Sequence, residues 1–160
     1  MSAHWKKHIQ SNIYKMSLWL AVGLVSFIFL AIGIIELLMP VAEMARILPW
    51  ADSHPVWFTR SLGIVDIAGG LGILLPFVLN SFVLHRFFLH SFVLHKLPRL
   101  LAVAALGCAS KQIVAICYHL TIGEPSVVPL NLALLTLSLF IFLNRRENRK
   151  SGIKNQLASV

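Results

Sequence analysis

Residues 60–76 read RSLGIVDIAGGLGILLP, from Arg60 to Pro76. The run is apolar apart from Arg60, Ser61 and Asp66, and it holds Gly63, Gly69, Gly70 and Gly72. With its flanks, from about Trp57 to Val78, it is long enough to cross a bilayer as a helix, since about 20 helical residues cover the ~30 Å hydrocarbon core. Gly63, Asp66, Gly69 and Gly70 recur at three- and four-residue steps, which is one slowly turning stripe. Ala68-x-x-x-Gly72 is a small-xxx-small pair on a neighbouring face. Glycines on such stripes let another backbone come close, so Asp66 is expected at a tight helix contact. Phosphate binding by this glycine-rich run is excluded, because no G-x-G-x-x-G follows a soluble strand. A carboxylate in hydrocarbon costs roughly 2.5–3.5 kcal/mol near the centre, so Asp66 needs a partner.

The rest of the 160-residue chain agrees with a membrane setting. It is 58% hydrophobic and 12% charged, about half the charged share of a soluble domain, and its mean hydropathy is +0.79. The first spanning helix is expected over 17–39, ended by Pro40. The third is expected from about Leu100 to His119, and the fourth from about Val127 to Leu143. Ser17 to Met39 is longer than a secretory signal core and carries no small-residue cleavage site, so it reads as an uncleaved span. In the loop 40–56, VAEMARIL suits one or two turns of interfacial helix, and Trp50 and Trp57 suit the headgroup zone. TIGEPS, residues 121–126, is a tight turn. Residues 1–16 form a basic N-terminus, and 144–160 a basic tail too polar to bury, expected to be disordered.

The predicted fold class is therefore an all-α, four-transmembrane-helix bundle. Lys6, Lys7 and Lys15 precede it, Arg86, Lys96 and Arg99 lie in the 80–99 connection, and Arg145, Arg146, Arg149, Lys150 and Lys154 follow it. The 40–56 loop has Arg46 alone. This bias places both termini in the cytoplasm of an inner-membrane protein. The net charge of +8 thus sets topology and meets lipid headgroups, and nucleic acid is not expected as a partner.

Depth arithmetic at ~1.5 Å per residue identifies partners for the intramembrane ions. With helix centres at about residues 28, 68 and 110, Asp66 and Lys111 lie within about two residues of the midplane and level with each other. Glu36 and Arg60 both lie about eight residues outward, with Tyr118 and His119 in the same layer. Two polar layers are predicted: Asp66–Lys111 deep, and Glu36–Arg60–His119 towards the outer face. As structure, such pairs neutralise charge and fix register; as function, they line a small polar pocket or a proton path.

Two other features tempt and then fail. SFVLHRFFLH (81–90) is followed at once by SFVLHKLPRL (91–100), placing His85, His90 and His95 five apart. On a helix each step of five turns about 140°, so the rings fan out and no metal site is expected. Cys108 and Cys117 are about 900° apart on one helix and cannot bridge. They read as buried, inert thiols.

At these residues the sequence resembles the DoxX-like family of small four-helix membrane proteins, over roughly 17–146. The family's second helix reads R-x-x-G-x-x-E-x-x-G-x-x-G and then Pro, and this chain supplies Arg60, Gly63, Asp66, Gly69, Gly72 and Pro76. The first family helix ends G-x-x-K-L, where this chain has GIIEL, Gly33 to Leu37. Pro49–Trp50 and His119, Gly123 and Glu124 also match. Two departures stand out: a shorter acid at Asp66, and a reversed charge at Glu36. If the family's Lys and Glu pair across helices, Lys111 supplies the missing cation here.

The resemblance implies little settled chemistry. Some relatives are associated with thiosulfate or quinone-linked oxidation and with membrane redox complexes. No catalytic residue and no cofactor is expected from the residues themselves, and quinone enters through the resemblance alone. The leading expectation is a non-catalytic membrane subunit or small-ligand binder, held in the lipid bilayer and open to a protein partner in a membrane complex. The rivals are a quinone-coupled oxidoreductase subunit using the Arg60–Asp66 pocket and a small proton or solute conductor.

Overall fold

The computed structural model describes residues 3–78 and 90–157. The described chain is helical, without strands: α1 (Ala3–Leu38), α2 (Val41–Met44), α3 (Val56–Val78), α4 (His90–Thr121) and α5 (Val128–Leu157). Short 3-10 turns at Pro49–Ser53 and Pro125–Val127 lead into α3 and α5. Among the described residues four stretches are long and apolar enough to cross a membrane: Asn12–Leu38, Val56–Pro76, Arg99–Thr121 and Pro125–Asn144. These match the predicted spans to within a few residues.

The helices outrun their spans. α1 starts at Ala3, α4 at His90, and α5 runs on to Leu157, so the basic segments expected as an N-terminal arm and a disordered tail are largely helical. Once a span has nucleated a helix, each further residue adds one hydrogen bond at little cost, so polar helix formers prolong it. Residues 79–89, with most of the first SFVLH copy and His85, lie outside the described residues.

Packing closes a ring of α1, α3, α4 and α5. Side-chain and backbone approaches give the directions. Gly33 faces Gly63 while Ser26 and Leu30 face Gly70, so α1 and α3 are antiparallel. Lys111 meets Asp66 and Ala104 faces Gly72, so α3 and α4 are antiparallel too. Tyr14 near the start of the first span touches Phe140 late in the last span, which brings both ends of the bundle's chain to one side.

Hydrocarbon offers no hydrophobic drive between helices, so close backbone approach must supply the contact. The expected glycine stripe of α3 in fact divides between two neighbours. A methyl on Gly63 would lie 2.8 Å from the Gly33 carbonyl oxygen, and one on Gly70 would lie 3.1 Å from the Ser26 carbonyl oxygen, both on α1. A methyl on Gly69 or Gly72 would instead lie 2.8 Å from Cys108 Sγ or Ala104 Cβ of α4. Ala68 is exposed on the outside of the ring, so the Ala68–Gly72 pair does not act as a joint face.

The apolar core fills the half of the bundle nearest the two ends of the chain. Val22, Val25 and Phe29 of α1, Ile73 of α3, Leu101 and Ala105 of α4, and Leu134 and Ile141 of α5 are buried in one cluster. Leu20, Phe27, Ile64 and Val103 are exposed apolar side chains on the outside, as a lipid-facing surface requires. Cys108 is buried, whereas Cys117 is exposed, which corrects the expectation of two buried thiols.

Candidate functional site

The site is built up from Asp66, whose side chain is 1% exposed. Gly63 and Gly69, three residues away on either side, draw α1 and α4 against α3 and close the carboxylate off from the outside. Lys111 Nζ donates to both carboxylate oxygens of Asp66. Its ammonium also lies 5.6 Å from the centre of the Phe29 ring, within cation–π range. The deep layer forms as the depth arithmetic placed it. Removing either partner would leave one charge buried and unanswered, which is far costlier than replacing both.

The outer layer forms differently. Arg60 is level with Glu36, yet its guanidinium meets backbone instead of the carboxylate. Nη1 donates to the Glu36 carbonyl at 2.7 Å and Nη2 to the Met39 carbonyl at 2.9 Å. The last carbonyls of a helix have no intrahelical donor and carry its negative pole, so a planar fork of donors suits them. Glu36 is 2% exposed, and its Oε2 has no hydrogen-bond partner among the described residues. The expected Glu36–Arg60–His119 cluster is therefore not an ion-pair layer.

His119 pairs elsewhere. Gly123 takes a positive φ of 77°, the Glu124 N–H donates to the His119 carbonyl at 2.9 Å, and α4 is thereby closed. This turn carries the Glu124 side chain back over His119, with 3.3 Å between Nδ1 and Oε2. The carboxylate accepts, so Nδ1 of His119 carries the proton.

Between these groups lies a cavity of about 320 Å³. Phe29, Asp66 and Lys111 form its floor, and Glu36, Gln112 and Asn131 contribute polar wall. Gln112 is 4% exposed, and its Oε1, like Asn131 Nδ2, has no hydrogen-bond partner among the described residues. At the loop end the mouth is aromatic. His54 stacks on Phe58 with centroids 5.1 Å apart and meets Trp50 and Tyr118 edge to face. His54 Nδ1 donates to the Trp50 carbonyl at 2.9 Å, and Nε2 lies 3.4 Å from the Tyr118 hydroxyl.

The structure thus joins Asp66, Lys111, Glu36 and His119 around one cavity. Arg60 braces the end of α1 beside it, and the four glycines set the helix spacings. Sequence reasoning missed Gln112, Asn131, His54 and Trp50 as cavity residues. Gln112 and Asn131 carried a signal, since an amide inside a membrane span faces a partner or a cavity more often than lipid.

The family model of the DoxX-like family matches residues 20–141, which takes in all of these groups. Among curated proteins and solved structures, none matches the chain.

Proposed function

We propose, for a chain that belongs to the DoxX-like family, that it is a multi-pass membrane protein whose intramembrane cavity binds a small, partly polar molecule. The observation that carries this reading is the combination of a ligand-sized space with buried polar atoms that no group among the described residues answers: Glu36 Oε2 and Gln112 Oε1. Burying such atoms without a partner costs about 1–3 kcal/mol each, and a resident ligand repays it. A cavity of this size is at the lower end of small-molecule sites.

A conductor would need a polar path through both halves of the bundle. The half nearest the chain ends buries Ser26, Ser138 and Asn144 alongside packed Val22, Val25, Leu101, Ala105 and Ile141, and the predominance of apolar packing favours a binder over a channel. An oxidised quinone, whose carbonyls accept hydrogen bonds, would find one unanswered donor in Asn131 Nδ2, whereas Glu36 Oε2 and Gln112 Oε1 also accept. We place the protein in a plasma membrane with both ends cytoplasmic, on the Lys and Arg bias.

The experiment is extraction of the protein purified in a mild detergent, with mass spectrometry of the small molecules released. A single species near stoichiometry, lost in Gln112→Leu and retained in a lipid-facing control such as Val103→Leu, supports the binder. Release of nothing but bulk lipid, equally from all three proteins, overturns it. A copurifying soluble partner would mark the protein as a subunit of a complex as well.

A further inference from the structure

We propose that the cavity takes a small organic cation, a protonated amine on an apolar or aromatic body, with the Glu36 carboxylate as its counter-charge. This rests on reading the cavity as a ligand site and adds the chemical class of the ligand.

The cations around the cavity are already committed. Lys111 gives its ammonium to both oxygens of Asp66, so that pair is neutral as a unit. Arg60 uses Nη1 and Nη2 on the carbonyls of Glu36 and Met39. His119 faces Glu124. Among the described residues no ion pair forms to Glu36, whose carboxylate lines the same cavity at 2% exposure. A charge so placed is best tolerated when it is paired, and a cation entering the cavity supplies that complement.

Hydrogen-bonding capacity narrows the class further. Among the described residues Glu36 Oε2 and Gln112 Oε1 are acceptors without partners and Asn131 Nδ2 is a donor without one, so a ligand that brings N–H or O–H donors answers two of the three. A primary or secondary ammonium brings donors and charge together. The mouth supplies Trp50, Phe58 and Tyr118 around His54, aromatic faces that suit an apolar body and the positive end of an amine passing them. An anion would meet Glu36, Asp66 and Glu124 with Lys111 already engaged.

The full-length protein in detergent or nanodiscs is titrated with three probes on one carbon frame: phenethylammonium, 2-phenylethanol and 3-phenylpropanoate. Binding is read by calorimetry and by the shift in thermal unfolding. The ammonium is expected to bind and stabilise, with the alcohol and the carboxylate at least about tenfold weaker. Phenethyltrimethylammonium, which keeps the charge but has no N–H, is expected between them. Glu36→Gln should weaken the ammonium about tenfold or more, while Glu43→Gln, an exposed acid on α2, leaves it unchanged.

Equal or tighter binding of the alcohol or the carboxylate overturns the cation assignment and leaves the binder reading standing. So does an ammonium affinity within about twofold of the parent in Glu36→Gln. If Glu36→Gln does not fold, the probe panel on the parent protein decides alone. If no probe binds and nothing small is released on extraction, both readings fall together.

Discussion

Asp66 and Glu36 are two buried carboxylates on facing, antiparallel helices, each level with a cation on a neighbour. One is paired and the other is not. The difference lies in which atoms face which way. Side chains on a helix lean towards its N-terminus, whereas its carbonyls point towards its C-terminus. Asp66 sits in mid-helix, where the backbone groups are already spent on the helix itself, and the long stem of Lys111 crosses from α4 to meet it. Glu36 sits in the last turn of α1, where free carbonyls compete for any donor. Arg60 meets those carbonyls on the C-terminal side, and the Glu36 carboxylate is left leaning back into the cavity. Equal depth is thus necessary for an ion pair and insufficient for one.

The largest expected effect tests the paired member. Asp66→Lys or Lys111→Asp alone puts two like charges together in the bundle, and each should lose roughly 3–5 kcal/mol, seen as little protein in the membrane fraction. The double swap should recover most of the yield and of the thermal midpoint in detergent. A double variant no better than the singles would show that Asp66 and Lys111 do not act as a pair.

Next in size is the donor that chose backbone. Arg60→Leu removes two charge-assisted bonds to α1 and should cost about 2–3 kcal/mol in detergent melting. Arg60→Lys should restore less than half of that, because an ammonium cannot span two carbonyls as the fork does. Full rescue by lysine would mean that charge near Glu36 matters more than the capping geometry.

Smaller again is the seam that holds both carboxylates at their depths. In Gly63→Ala the new methyl meets backbone, 2.8 Å from the Gly33 carbonyl oxygen and 3.0 Å from the Leu37 nitrogen. Neither can rotate away, so α1 and α3 must part, at a cost of about 1–3 kcal/mol. The loss should be distinct from that of Gly23→Ala, where nothing lies within 4 Å and a small gain is expected. Equal behaviour of the two variants would remove the close-approach argument.

The spans and the deep pair were legible in the sequence because both follow from one-dimensional quantities. Hydropathy gives where the chain crosses, and residue count gives depth. Helix ends were not legible, since Lys6 or Arg149 continue a helix in water as readily as they end a span. The division of Gly63 and Gly70 from Gly69 and Gly72 was also hidden: they are nearly one stripe on α3 alone, and only the positions of α1 and α4 separate them. The aromatic mouth depends on His54, in a loop that hydropathy cannot fold. The choice made by Arg60 was hidden for the reason given above, as depth does not say whether a donor meets a side chain or a carbonyl.

The smallest expected effect is the sharpest. Were Glu36 half of a buried ion pair, Glu36→Gln would cost as much as the loss of Lys111. With Arg60 engaged by carbonyls and Oε2 unpartnered among the described residues, the amide removes a buried charge, keeps the shape and breaks no hydrogen bond that those residues make to the side chain. Stability should therefore change by less than about 0.5 kcal/mol or rise, measured as thermal midpoint in the same detergent with small molecules dialysed away. A loss of about 3 kcal/mol or more would return Glu36 to the paired class and remove the unanswered carboxylate on which a cationic ligand depends. A neutral result in stability, set beside lost amine binding in the same variant, would separate what Glu36 does for the fold from what it does for the cavity.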